Sequence, residues 1–165
     1  MTQARVLWRR LDAPGHDACR LTRVAAGWRL EGSAVSLESG VPARLDYRVT
    51  CDRGWRSQRG QVRGWFGERA VVLTVVRDAG GWTVNGERAA GLEDCVDLDF
   101  GFTPATNLLP IRRLHCRSER QPSRRLHGLT SRQARWSLYR NAMSGERRTP
   151  SGTRPRASGT PDLST

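Results

Sequence analysis

Residues 43–51 read ARLDYRVTC, and the alternation within this stretch decides the fold class. Leu45, Tyr47, Val49 and Cys51 fall on one side of an extended chain while Arg44, Asp46, Arg48 and Thr50 fall on the other, the period of two that a half-buried strand requires. One face is core and the other is wet.

Toward the N-terminus, the run RVLWRR from Arg5 opens a first strand. A loop rich in turn formers follows around Pro14 and Gly15, and Trp28 to Glu38 reads as two strand segments separated near Gly32. Toward the C-terminus, Trp55 to Phe66 interleaves Trp55 and Trp65 with Arg56, Arg59 and Arg63. Such a mixture could stack bases or sugar rings, but aromatics at strand ends with arginines on the opposite face are also ordinary for an antiparallel sheet. Arg69 to Val76 is the most apolar run and reads as a central strand. Asp78 to Gly81 turns, Trp82 to Val84 returns, and Asn85-Gly86 is a tight-turn signal, so this part reads as a meander. Leu92 to Phe102 alternates again, with Val96, Leu98, Phe100 and Phe102 on one face and Cys95, Asp97 and Asp99 on the other. Two carboxylates so spaced suggest acid–base work or a hard cation site. No His, Lys or third acid is placed beside them, so they are expected to pair with arginines or turn donors.

The run TPATNLLPIRRL, Thr103 to Leu114, breaks the pattern. Pro104 and Pro110 fix φ and remove backbone donors, which excludes Ala105 to Leu109 from an undisturbed central strand or helix interior. The segment reads as a shaped connection, either a turn leading into a strand or a ligand-contacting loop. Thr106 and Asn107 supply short polar side chains, and Arg112 and Arg113 supply two guanidinium forks.

Together with CVDLDFGF (Cys95 to Phe102), WRLEGS (Trp28 to Ser33), DYRVTCDRGW (Asp46 to Trp55) and GWTVNGE (Gly81 to Glu87), this run resembles the bacterial glycolipid-binding family in block order and approximate spacing. The likeness covers roughly residues 5–114, and its most specific part is TN-x-LPIRRL. It implies an all-β, mainly antiparallel spiral β-roll, akin to the half-barrels of lipoprotein carriers, with an apolar lipid-binding interior and no established enzyme activity, so the chain is expected not to be an enzyme. Candidate ligand contacts lie within these blocks: Tyr47, Trp55, Thr106, Asn107, Arg112 and Arg113. The expected partner is a glycolipid or another apolar ligand.

Composition narrows the alternatives. A chain of 165 residues fits one domain, and its 37% hydrophobic content is concentrated in the first 114 residues. No apolar run approaches a membrane span, and MTQARVLWRR lacks a signal-peptide apolar region, so a cytoplasmic location is expected. The net charge of +12 is uneven: residues 1–114 hold 17 Arg against 13 acids, and residues 115–165 hold 11 Arg against 3. All 28 basic residues are arginine, a bias that points to coding composition more than to phosphate recognition, so nucleic acid is not the favoured partner. Cys19, Cys51, Cys95 and Cys116 form no CxxC pair, and His16, His115 and His127 compose no catalytic site with them. Neither a metal nor a cofactor is expected.

From His115 the texture changes. Residues 115–165 contain no Val, Ile or Phe and are rich in Arg, Ser, Pro and Gly, the composition of a chain that cannot order itself. Reread from the third base of each codon, Arg140 to Arg147 is compatible with QRYERRT, and the residues after it with PDAVRYEAPRFGY, which look like the family's missing ending. Two segments are thus expected: an incomplete β domain over 1–114 and a disordered, out-of-frame tail over 115–165. The leading function is non-enzymatic glycolipid or lipid binding, impaired by loss of the closing strands. A basic nucleic-acid-associated protein and an Asp-dependent hydrolase using Asp97 and Asp99 are the alternatives.

Overall fold

The computed structural model describes residues 2–118. Eight strands form one antiparallel sheet in which spatial order equals sequence order: β1 (Thr2–Arg9), β2 (Gly15–Val24), β3 (Gly27–Glu38), β4 (Val41–Asp52), β5 (Ser57–Phe66), β6 (Arg69–Asp78), β7 (Gly81–Val84) and β8 (Glu87–Arg88). The sheet does not close into a barrel, so β1 and β8 remain edges. After β8 an extended arm leads to a 3-10 turn, Pro104–Asn107, and a helix α1, Leu108–Ser118. Among the described residues no helix is long and apolar enough to cross a membrane.

The alternation in β4 is realised as read: Ala43, Leu45, Tyr47, Val49 and Cys51 are buried. Register carries this inner face sideways, from Leu45, Tyr47 and Val49 to Ala34, Gly32 and Leu30 on β3 and to Gly64, Val62 and Gly60 on β5. The meander is also found, with Asn85 and Gly86 at φ of 50° and 91° in the tight turn joining β7 to β8. The apolar run in β6 is flanked by strands on both sides, yet it covers only the inner face, since Val72 is 65% exposed.

The connection rich in turn formers before Pro14 is found, and the ten residues that follow it, Gly15–Val24, form β2, a strand not read from the sequence. Three readings are corrected. Trp28 to Glu38 is not interrupted at Gly32: β3 is continuous, and the missing side chain makes room for the Tyr47 hydroxyl, which would lie 2.5 Å from a Cβ there. Leu92 to Phe102 is not a ladder strand. It crosses the inner face of the sheet, tied by Ser57 N to Val96 O (3.2 Å), Leu98 N to Ser57 Oγ (3.1 Å) and Trp82 Nε1 to Cys95 O (2.8 Å). Leu98 and Phe100 are buried, so the alternation was real although its cause is packing and not pairing. Finally, Thr103 to Leu114 does not lead into a strand. Pro104 opens the 3-10 turn and Pro110 is the third residue of α1, where an N–H would have no helical partner to lose. The tail expected over 115–165 lies, from Glu119 onward, outside the described residues, and α1 continues past Leu114 to Ser118.

The arm fits because Gly60 leaves a gap in the inner face. A Cβ at Gly60 would fall on a Leu98 methyl and lie 3.0 Å from the Phe100 ring. Gly60→Ala should therefore lower unfolding stability by about 1–3 kcal/mol, as overpacking does. Urea denaturation reads this, and an unchanged midpoint would show that the arm is not seated over Gly60.

Candidate ligand-binding cleft

The alternation of β2 places Asp17, Cys19 and Leu21 on the inner face, so a carboxylate enters an otherwise apolar surface. Asp17 is only 4% exposed. The Tyr47 hydroxyl donates to it, 3.0 Å from each oxygen, and the Thr103 hydroxyl donates to Oδ2. Thr103 also accepts from Ala105 N (3.0 Å), capping the 3-10 turn. Burial pushes the Asp17 carboxyl above its ordinary value, and the bonds from Thr103 and Tyr47 only partly oppose it. Burial likewise pushes up the Tyr47 phenol and the Cys19 thiol, so Tyr47 stays a protonated donor.

Above this floor a cleft of about 690 Å³ opens between the inner face of β1–β3 and the segment from Gly101 to Asn107. Trp8 and Phe102 are its aromatic walls, while Arg10 and Asn107 stand at its rim. Phe102 is fixed from behind, stacked on Phe100 with centroids 5.7 Å apart and edge-on to Tyr47 at 5.8 Å. Arg10 is held by Asp12, 2.7 Å away, and by Glu38. The result is an aromatic slot with a buried acceptor beneath and amide and guanidinium donors at the mouth, a volume and chemistry suited to a small polar group with apolar faces.

The residues singled out from sequence are dispersed. Tyr47 belongs to the floor, and Asn107 is exposed at the rim. Trp55 sits at the β4–β5 connection with φ of 64°, buried, its ring stacked on Trp28 at 4.5 Å. Arg112 lies over that same ring, 5.9 Å from its centroid. Thr106 is buried and donates to Asp99 (2.9 Å), and Arg113 pairs with Asp97. Asp99 also accepts from Gly101 N (3.0 Å), so both carboxylates of the arm meet an arginine or turn donors as expected. Sequence reading missed Asp17 and Trp8. The signal for Asp17 was a lone acid in phase with Cys19 and Leu21, visible only once 15–24 is recognised as a strand.

Folding favours the protonated form of a carboxyl whose value is raised. The stability Asp17 contributes is therefore fully present below its ordinary value of 3.8 and is lost as pH rises through the higher value in the folded chain. Asp17→Asn keeps an acceptor for both hydroxyls but cannot ionise. Its melting temperature should gain on that of the native chain as pH rises above 3.8 and through the higher value in the folded chain. A difference that does not change with pH would show Asp17 titrating as it does in water.

The family model described as "Putative glycolipid-binding" matches residues 5–126. A crystal structure of a DUF1089 family protein from Pseudomonas aeruginosa is similar at 27% identity with a TM-score of 0.52, over 69% of this chain and 61% of that one. This chain thus spans about three fifths of that protein's length. The search of curated proteins returned no match. With the matched residues covering the sheet from Arg5 onward, the arm, the cleft and helix α1, the chain belongs to the glycolipid-binding family.

Proposed function

We propose that the chain is a cytoplasmic, non-catalytic binding protein for a glycolipid, with the sugar end of the ligand seated between Trp8 and Phe102. The observation that carries this reading is the pairing of aromatic walls with a buried carboxylate floor in one cleft. A sugar ring offers C–H faces to aromatic surfaces and hydroxyl donors to an acceptor such as Asp17. Asn107 at the rim supplies an amide that can donate and accept. Binding without turnover fits the engagement of Asp97 and Asp99 in holding the arm, which leaves neither carboxylate poised as an acid–base pair. The test is titration with octyl glucoside below its micelle concentration, alongside octanol. The native chain should bind the glycoside, Trp8→Ala should weaken binding about tenfold or more, and the exposed Asn107→Ala about threefold to tenfold, the size of one hydrogen bond. Equal affinity for octanol would replace the sugar reading with a purely apolar one, and no uptake of either would overturn both.

The same proposal includes impairment. On α1, Ile111 is 50% exposed and Leu114 38% exposed, an apolar flank that no described segment covers. The family's closing strands, which the third-base reading recovers, are the proposed cover. A chain with the reading frame restored after Leu114 should melt higher and take up octyl glucoside more tightly than this one. Equal melting and equal uptake would overturn the claim.

A further inference from the structure

The outward face of the sheet carries a second depression, about 910 Å³, lined by residues of five consecutive strands, β1 to β5. Register sets Arg5, Arg20, Glu31, Arg48 and Gln61 side by side in one row across those strands, and Leu7, Ala18, Ser33, Asp46 and Arg63 in the next. Like charges on adjacent strands repel, so such a row needs counter-charge.

Glu31 supplies part of it. Although buried, it receives Arg20 Nε at 2.7 Å and Arg48 Nε at 3.0 Å, with Arg29 Nε at 3.4 Å. Burial alone would raise its carboxyl. The hydrogen bond from Arg20 and the charges of Arg29, Arg20 and Arg48 outweigh this and hold it below the ordinary range. Asp46 is likewise engaged, accepting from the Ser33 hydroxyl and from Arg44 at 3.1 Å. Both acids of the depression therefore have partners. Arg5 and Arg63, on opposite sides of it, are exposed and make no ion pair among the described residues. Beside Arg5, Leu7 stands 68% exposed.

We propose that this depression binds the phosphate group of an anionic lipid headgroup. Arg5 and Arg63 supply two guanidinium groups that no carboxylate holds in an ion pair among the described residues. Arg20 and Arg48, kept in place by Glu31, retain donors that a single carboxylate cannot occupy, since each guanidinium carries five N–H groups. Exposed Leu7 gives the first methylenes of the lipid an apolar contact. The site lies on the face opposite the cleft and does not depend on sugar binding there.

Sedimentation with vesicles tests this directly. The native chain should co-sediment with phosphatidylcholine vesicles containing about one fifth phosphatidic acid and not with phosphatidylcholine alone. Replacing both Arg5 and Arg63 by Gln should lower the bound fraction about tenfold or more, as expected when two arginines leave an anionic surface. Arg59→Gln, an exposed arginine on the same face outside the depression, should change it by no more than the about fivefold that one arginine near an anionic surface is worth. Octyl glucoside binding by the double variant should stay at the native level, which separates failure of this site from failure of the cleft. An equal loss in Arg59→Gln would reduce the effect to unspecific charge and overturn the site. Saturation by inorganic phosphate without vesicle binding would overturn the lipid as source, and an oligonucleotide bound more tightly than the vesicles through the same two arginines would overturn the lipid class.

Discussion

A carboxylate removed from water at Asp17 sets the geometry of everything around it. Buried charge or polarity is tolerated only where partners reach it, and the partners here come from β4, through Tyr47, and from the segment after the arm, through Thr103. The same Thr103 oxygen caps the 3-10 turn, which directs α1. Arg112 then reaches the ring of Trp55, and Arg113 reaches Asp97. One buried hydrogen-bonded knot thereby aligns the motif against β2 and β4 and against the β4–β5 connection.

The motif accordingly divides its labour. Thr106, Arg112 and Arg113 contact other parts of the chain, while Asn107 faces the cleft. Side chains that hold a segment in register against a scaffold keep the walls of a cleft from drifting. Trp8 and Phe102 are set in this way, from β1 on one side and from the arm, backed by Phe100, on the other.

Much of the sheet was legible because burial on one face imposes a period of two, as in β4, and because Asn85-Gly86 is a turn with a steric reason. What was not legible had specific causes. Gly32 reads as an interruption when only propensity is considered, yet it is where Tyr47 needs space from a neighbouring strand. The arm alternates like a strand because it packs across a sheet with one side inward, and nothing in its own residues reveals that its backbone finds Ser57 instead of a ladder. Two prolines suggested a broken segment, whereas both sit where a helical turn has no N–H to satisfy. The cleft itself was hidden because Asp17 and Trp8 meet Thr103 only through tertiary packing.

The meander has a consequence for the order in which the chain assembles. Every strand pairs with the one preceding it, so the sheet grows by closing short hairpins, each within reach as soon as its second strand exists. The bond between Thr103 and Asp17 spans 86 residues and can form only when the sheet already stands. Until that moment the inner face of β3 to β6 is open to water, and two strand edges are unpaired. The interval between the last hairpin and the seating of the arm is thus the period in which a nascent chain is most exposed to association with its neighbours.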